Sequence, residues 1–194
     1  MIGTSEMALD YRTRKFTVKE YYAMVGAGIL QERERVELIE GDILEMAPIG
    51  PRHGGRHIRL SKLLIMRFAE SAFVSTQGSI IVSEFSAPEP DFAILRGRED
   101  FYERDLPRPN DVLGVIELSD SSLSFDRRKK AQLYGRAGIR DYWIVNLRED
   151  RLEVHRQPNE LGYAKTKVLM PDETVALEAL PDVEFTVSEF LART

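Results

Sequence analysis

The order of hydrophobic and polar positions changes several times along the chain, and each change marks an element. Val112–Ile116 is a nearly continuous apolar run closed by one carboxylate, Glu117. A Ser/Asp-rich turn follows, then a basic segment, Phe125–Arg136, with helical spacing. Gly138 ends that segment, and Asp141–Leu147 is a second apolar run. Strand, helix, strand at this length is a βαβ unit, whose two strands are expected to be parallel neighbours. A strand apolar at successive positions is one covered on both faces. Glu117 therefore sits where a carboxylate is costly unless something pairs with it.

Upstream, Phe16–Val25 reads as a helix, with Thr17 as N-cap, Glu20 completing a capping box, and Gly26 or Gly28 as the stop. Its VGAGIL string follows a helix rather than a strand, so it reads as a helix stop and not as a nucleotide loop. Arg35–Met46 alternates around Glu40-Gly41-Asp42, the pattern of a β-hairpin. Glu37, on its first strand, reads in isolation as a solvent-facing carboxylate. Ala47–Gly55 reads as a loop and Arg56–Ser71 as a helix with Ile58, Leu63, Leu64, Ile65 and Phe68 on its core side and Arg56, Arg59, Lys62 and Arg67 supplying charge. Phe73–Phe85 is strand-like with a bend at Gly78. Glu89-Pro90-Asp91 leads into the short strand Phe92–Leu95, and Arg96–Asn110 is a long charged loop. Downstream, Arg151–Gln157 and Tyr163–Met170 form a hairpin, Thr174–Leu177 a strand, and Val187–Ala192 a terminal helical turn. The pattern suits one domain over residues 16–194, preceded by a loosely ordered arm at 1–15.

Composition narrows the chemistry. The 194-residue chain has no cysteine, which excludes disulfides, thiolate zinc sites and cysteine nucleophiles, and fits a reducing cytoplasm. No apolar run approaches membrane-spanning length, and MIGTSEMALDYRTRKF lacks the apolar core of a signal peptide. A net charge of −5 counts against strong nonspecific binding to nucleic acid, though not against a local basic patch.

Asp91 opens one strand and Glu117 closes the next. If the two are antiparallel neighbours, both carboxylates reach the same sheet edge, where they repel unless a proton or cation lies between them. Carboxylate oxygens with waters and a carbonyl make a hard site for Mg²⁺ or Mn²⁺, the ion that phosphodiester hydrolysis uses. Lys130 and Tyr134 share a helix face and lie on the helix that leaves the Glu117 strand. Two readings of Lys130 stand: a cation reaching back to the carboxylates, or the partner of Asp126 in a surface i,i+4 pair. Arg127, Arg128 and Lys129 read as a solvated face or as phosphate contacts. His53 and His57 have a metal-binding spacing, but Gly54-Gly55 between them favours a hydrogen-bonded or substrate-facing His53 over zinc.

The strings ELIEGDILEMAP with His53 after it, PEPDFAIL, VIELSDSS and DRRKKAQLYGRAGIRDYWIVNL resemble the PD-(D/E)XK nuclease superfamily. More closely, from Phe16 onward, they resemble its Uma-type family of "putative restriction endonucleases". The resemblance implies an α/β (α+β) restriction-endonuclease-like core of order αβββαβ. A central mixed sheet would be flanked by helices, with added N- and C-terminal β-hairpins. It implies Asp91 and Glu117 as catalytic, metal-binding acids, with the Leu118 carbonyl as a further ligand. Ser119 stands where the superfamily places its lysine, and Lys130 is the lysine that the Uma-type pattern carries on the following helix. Glu37 matches an auxiliary acid, while His53, Gln77, Arg127 and Tyr134 are substrate-side candidates.

The reading that results is a Mg²⁺- or Mn²⁺-dependent endonuclease acting on DNA, the basic residues of the two helices, Arg56, Arg59 and Arg127 among them, holding the phosphate backbone, with a homodimer expected by analogy with folds that cut both strands. Two alternatives stay open: a nuclease-fold nucleic-acid-binding or assembly module without turnover, and a metal-dependent hydrolase of a small phosphate substrate.

Overall fold

The computed structural model describes residues 13–31, 34–46 and 50–191. Most of the expected N-terminal arm, residues 47–49 of the expected loop and Ala192 lie outside these. The chain opens with α1 (Val18–Gly26), held by the Thr17–Glu20 capping box that the sequence predicts. The hairpin β1 (Val36–Ile39) and β2 (Asp42–Glu45) follows, turning through Glu40 and Gly41, both at positive φ. Helix α2 (Pro51–Phe68) then leads into β3 (Phe73–Thr76), β4 (Phe92–Leu95) and β5 (Val112–Ser119). One turn of α3 (Leu123–Phe125), a π turn (Asp126–Lys130) and α4 (Ala131–Arg136) connect β5 to β6 (Tyr142–Asn146). The chain closes with β7 (Arg151–Asn159), β8 (Gly162–Leu169), β9 (Thr174–Leu177), β10 (Leu180–Thr186) and α5 (Val187–Leu191).

Strands β3 to β8 form one six-stranded mixed sheet in sequence order. Only β5 and β6 run parallel, as the βαβ reading requires, with Val115 opposite Tyr142 and Ser119 opposite Asn146. Alternation along each strand divides the core in two. Phe92, Ile94, Ile116, Trp143 and Val145 pack under α2 and α5 together with β9 and β10. Ala93, Val115, Tyr142 and Ile144 pack on the other face against Ile39, Leu123, Leu133 and Tyr134. Two positions past Val115, Glu117 points to this second face, toward the π turn and the β1–β2 hairpin.

Several expectations are corrected. Helix α2 starts at Pro51 rather than Arg56. Gly50 is its N-cap and proline suits the first helical position, where its missing N–H costs nothing. Gly54 and Gly55 are carried because Leu60, Leu64 and Phe68 bury the helix face completely; that i, i+4, i+8 stripe leaves Ile58 and Ile65, expected on the core side, exposed on the other face. The strand expected over Phe73–Phe85 ends at Thr76, because Gln77 turns the chain at φ 52° and donates its N–H to Asp91 O at 3.1 Å. The closing hairpin is not an appendage: β7 pairs with β6 and extends the central sheet. The separate C-terminal hairpin is β9–β10, whose second strand the sequence pattern did not reveal. Arg96–Asn110 is organised locally, with Arg98 stacked 4.1 Å over the Tyr102 ring and paired with Asp100, before a 3₁₀ turn at Pro109–Asp111.

Helix α4 lies so close to β8 that a Cβ placed on Gly135 meets the Gly162 carbonyl oxygen at 2.0 Å. Helix propensity favours alanine over glycine by about 1 kcal/mol, yet backbone cannot yield as a side chain does. Gly135→Ala is therefore expected to lower unfolding free energy by about 1–3 kcal/mol in denaturant titration, the usual cost of overpacking. A gain in stability would show that the two backbones separate freely.

Candidate active site

The β4–β5 register builds the site. Phe92 lies opposite Ile116, so Asp91, just before β4, meets Glu117 across the antiparallel pair. The two acids clasp each other's backbone. Asp91 N–H donates to Glu117 Oε2 at 3.1 Å, and Leu118 N–H donates to Asp91 Oδ2 at 2.8 Å. Each carboxylate is thus oriented by the strand that carries the other. His57 and Gln77 both contact the Asp91 carbonyl, His57 through Nε2 at 3.2 Å and Gln77 through its backbone N–H.

Glu117 is buried, and its second oxygen collects two side-chain donors. Lys130 Nζ donates to Oε1 at 2.9 Å and the Tyr134 hydroxyl at 3.1 Å. Lys130 Nζ also lies 3.7 Å from Glu37 Oε2, which accepts the Glu89 N–H at 3.1 Å. Glu37 is therefore buried, contrary to its isolated reading as a solvent-facing carboxylate. The hairpin packs its β1 face onto the main body, and Glu40 at its tip pairs with Lys129 and Arg136.

The π turn decides where Lys130 goes. Ala131 N–H reaches back to Asp126 O, whose carbonyl also accepts the Tyr142 hydroxyl at 3.2 Å. The widened turn brings both Asp126 and Lys130 inward. Asp126 Oδ2 accepts from Ser119 Oγ and Ser122 Oγ, each at 2.6 Å. The surface i,i+4 pairing of Asp126 with Lys130 is thereby overturned: both side chains are buried and each has other partners. Ser119 ties down the start of the turn that delivers Lys130.

These groups line or back a cavity of about 270 Å³ that His53, Gln77, Glu89, Asp120 and Lys130 also border. Burial pushes the Glu117 carboxyl up to about 7; Lys130 opposes the shift and the charge on Asp91 adds to it. Burial likewise raises Asp91, Asp126 and Glu89. Lys130 goes the other way from its burial: Glu117, Glu37 and Asp126 outweigh desolvation and hold the ammonium charged. Five carboxyls thus surround one lysine, an excess of negative charge that a divalent cation would relieve. The donors fit a hard ion: carboxylate oxygens of Asp91 and Glu117 and the Leu118 carbonyl. Among the described residues, no cluster of three or more His, Asp or Glu side chains is gathered as a ready metal cage.

Other candidates separate. His53 and Gln77 border the cavity. Tyr134 is buried behind Glu117, a positioning contact rather than a substrate surface. Arg127 turns away from the cavity to bond Glu153 at 2.8 and 2.6 Å, with Glu149 beside it. Arg56 and Arg59 on α2 donate to the Leu191 and Phe190 carbonyls at the end of α5. Sequence reasoning missed Glu89 and Asp126 as members of the site. Glu89 stands in plain view in PEPD, while Asp126 enters the sequence reading only as one of two possible partners for Lys130, in a surface i,i+4 pair on a regular helix.

The family model described as "Uma2: Putative restriction endonuclease" matches residues 18–188. No curated protein matches the chain. A crystal structure from Anabaena variabilis ATCC 29413, described as a putative nuclease belonging to DUF820, superposes with TM-score 0.71 at 15% identity. The alignment covers 90% of this chain and 97% of that one, and such distant similarity speaks for the fold alone.

The raised Glu117 carboxyl makes a signed prediction. Between its ordinary 4.5 and about 7 the folded protein retains a proton that the unfolded chain has released. Unfolding free energy measured with chelator present should then fall as pH rises through that window, and Glu117→Gln should flatten the fall. A slope untouched by the substitution would assign the proton to another group.

Proposed function

Because the chain belongs to the Uma2 family, we propose that it is a Mg²⁺- or Mn²⁺-dependent endonuclease hydrolysing DNA phosphodiester bonds. The observation that carries this reading is the reciprocal clasp of Asp91 and Glu117 with Lys130 Nζ 2.9 Å from Glu117. Asp91, Glu117 and the Leu118 carbonyl would hold the cation. When bound, such an ion supplies a Lewis acid that polarises a phosphoryl oxygen and makes water a stronger nucleophile.

The chain's own residues do the rest. The clasp holds both carboxylates rigid before any ligand arrives, so little reorganisation is needed at the moment of reaction. Lys130 is held protonated, which suits it to stabilise negative charge on phosphorus by donating hydrogen bonds, not to act as a general base. Glu37, 3.7 Å away, is a second anion beside the ammonium, and Tyr134 fixes Glu117 Oε1. His53 and Gln77 face the cavity where substrate would lie. No helix among the described residues is long and apolar enough to cross a membrane. A homodimer remains part of the proposal, since two copies would cut the two strands of a duplex.

One observation favours a second reading, a nuclease-fold protein that binds without turnover. The cleft is acidic, and Arg127, Arg56 and Arg59, the basic residues expected to grip phosphates, are committed to intramolecular partners. Lys130 separates the two. Lys130→Ala should cut DNA cleavage by about 10²–10³-fold, the scale for removing one preorganised donor. Calorimetric Mg²⁺ or Mn²⁺ affinity should stay nearly unchanged, whereas Asp91→Asn with Glu117→Gln should abolish it. Cation binding with no cleavage of any DNA or RNA form by the wild type would select the second reading.

A further inference from the structure

On the cation site proposed above rests one more assignment: we propose that His53 is a protein ligand of that cation, through Nε2. This nitrogen would shift the site's preference from Mg²⁺ toward Mn²⁺.

The spacing of donor atoms argues for it. His53 Nε2 lies 3.2 Å from the Leu118 carbonyl oxygen and 3.8 Å from Asp91 Oδ2. Neighbouring donors around an octahedral ion with bonds of about 2.1 Å are about 3 Å apart. The histidine thus stands at ligand-to-ligand distance from the Leu118 carbonyl and within a further ångström of it from Asp91 Oδ2, so it borders two of the three proposed oxygen donors. Helix α2 delivers it from its first turn, and a quarter of the side chain remains exposed, so the ring borders the cavity rather than the core.

Hydrogen bonding leaves the ring able to ligate. Facing a carbonyl oxygen without a cation, Nε2 must carry its proton, since two acceptors would repel. Ligation needs that proton on Nδ1 instead. His53 Nδ1 is buried and has no hydrogen-bond partner among the described residues. No partner at Nδ1 opposes the exchange, which gives up only the Nε2–H bond to the Leu118 carbonyl. His57 provides the contrast. Its ring is stacked 4.6 Å from Phe92, and its Nε2 is directed at the Asp91 backbone carbonyl, which Gln77 N–H also occupies. His57 holds the strand that carries Asp91, while His53 contacts the donors themselves.

The chemical consequence is selectivity. An all-oxygen site suits Mg²⁺, whereas an imidazole nitrogen favours later, softer ions such as Mn²⁺. The test uses the full chain at one fixed pH, with folding of each variant checked by circular dichroism. Mn²⁺ and Mg²⁺ are titrated by calorimetry into wild type, His53→Ala, His57→Ala and the Asp91→Asn, Glu117→Gln double variant. Bound Mn²⁺ is also examined by electron spin-echo modulation, which reports nitrogen ligands directly. His53→Ala should lose Mn²⁺ affinity by about tenfold or more, at least the loss that outer-shell changes bring. Its Mg²⁺ affinity should fall less, and its nitrogen modulation should vanish while His57→Ala keeps it. Persistent modulation in His53→Ala, unchanged affinity, or tighter Mn²⁺ binding would overturn the assignment, the last by making His53 a competitor. Mn²⁺ binding that survives only in proteins with intact Asp91 and Glu117 upholds the cation site whatever becomes of His53. Absence of binding in all four proteins would sink both.

Discussion

The buried Glu117–Lys130 pair is the interaction on which the rest depends. Glu117 sits in the central parallel strand, on a face otherwise lined by Val115, Tyr142 and Ile144. An unpaired carboxylate there would cost several kcal/mol. Each element that meets Glu117 brings a donor or an acid for the pair: Tyr134 and Lys130 from the connecting helix, Glu37 from the hairpin, Asp91 from the start of the adjoining strand. Buried ion pairs seldom stabilise a fold relative to apolar packing. Their presence at a cavity wall is better explained by chemistry than by stability.

The connecting helix shows how the fold accommodates a displaced lysine. A lysine two residues past Glu117 would issue from the strand itself; here the position is Ser119, too short to carry charge into the site. Its hydroxyl instead bonds Asp126, which also takes the Ser122 hydroxyl, and the backbone widens into a π turn from Asp126 to Lys130. Tyr142 on the neighbouring strand supports the Asp126 carbonyl. Strand, turn and helix are thereby coupled, so the ammonium reaches Glu117 from a different segment yet with a fixed geometry.

The electrostatic character of the cleft bears on substrate. Carboxyls outnumber cations around the cavity, and several arginines named as phosphate contacts are spent inside the molecule. Negative potential repels a polyanion until cations enter, so metal and nucleic acid would bind with strong mutual dependence.

What the sequence determined by itself is the local order of the chain. The Thr17–Glu20 cap, the Glu40-Gly41 hairpin and the strand–helix–strand order of the β5–β6 unit follow from short-range patterns, because capping, turn geometry and strand alternation act over a few residues, whereas the approach of Asp91 to Glu117 is conditional on the β4–β5 pairing that the structure supplies. Family resemblance added Glu37 and the displaced lysine. What only the tertiary structure decided is which polar groups are buried and with whom. Glu37 looked solvent-facing because alternation gives a strand two faces without saying what covers each. Lys130 could be read either as reaching the carboxylates or as the surface partner of Asp126, because a regular helical period allows both; the Ser119, Ser122 and Tyr142 hydroxyls hold the wider turn that decides it. Arg127 and Arg56 looked available for phosphate because Glu153 and the end of α5 are distant in sequence. Burial and long-range pairing depend on sums over the whole packed chain, and no local window contains them.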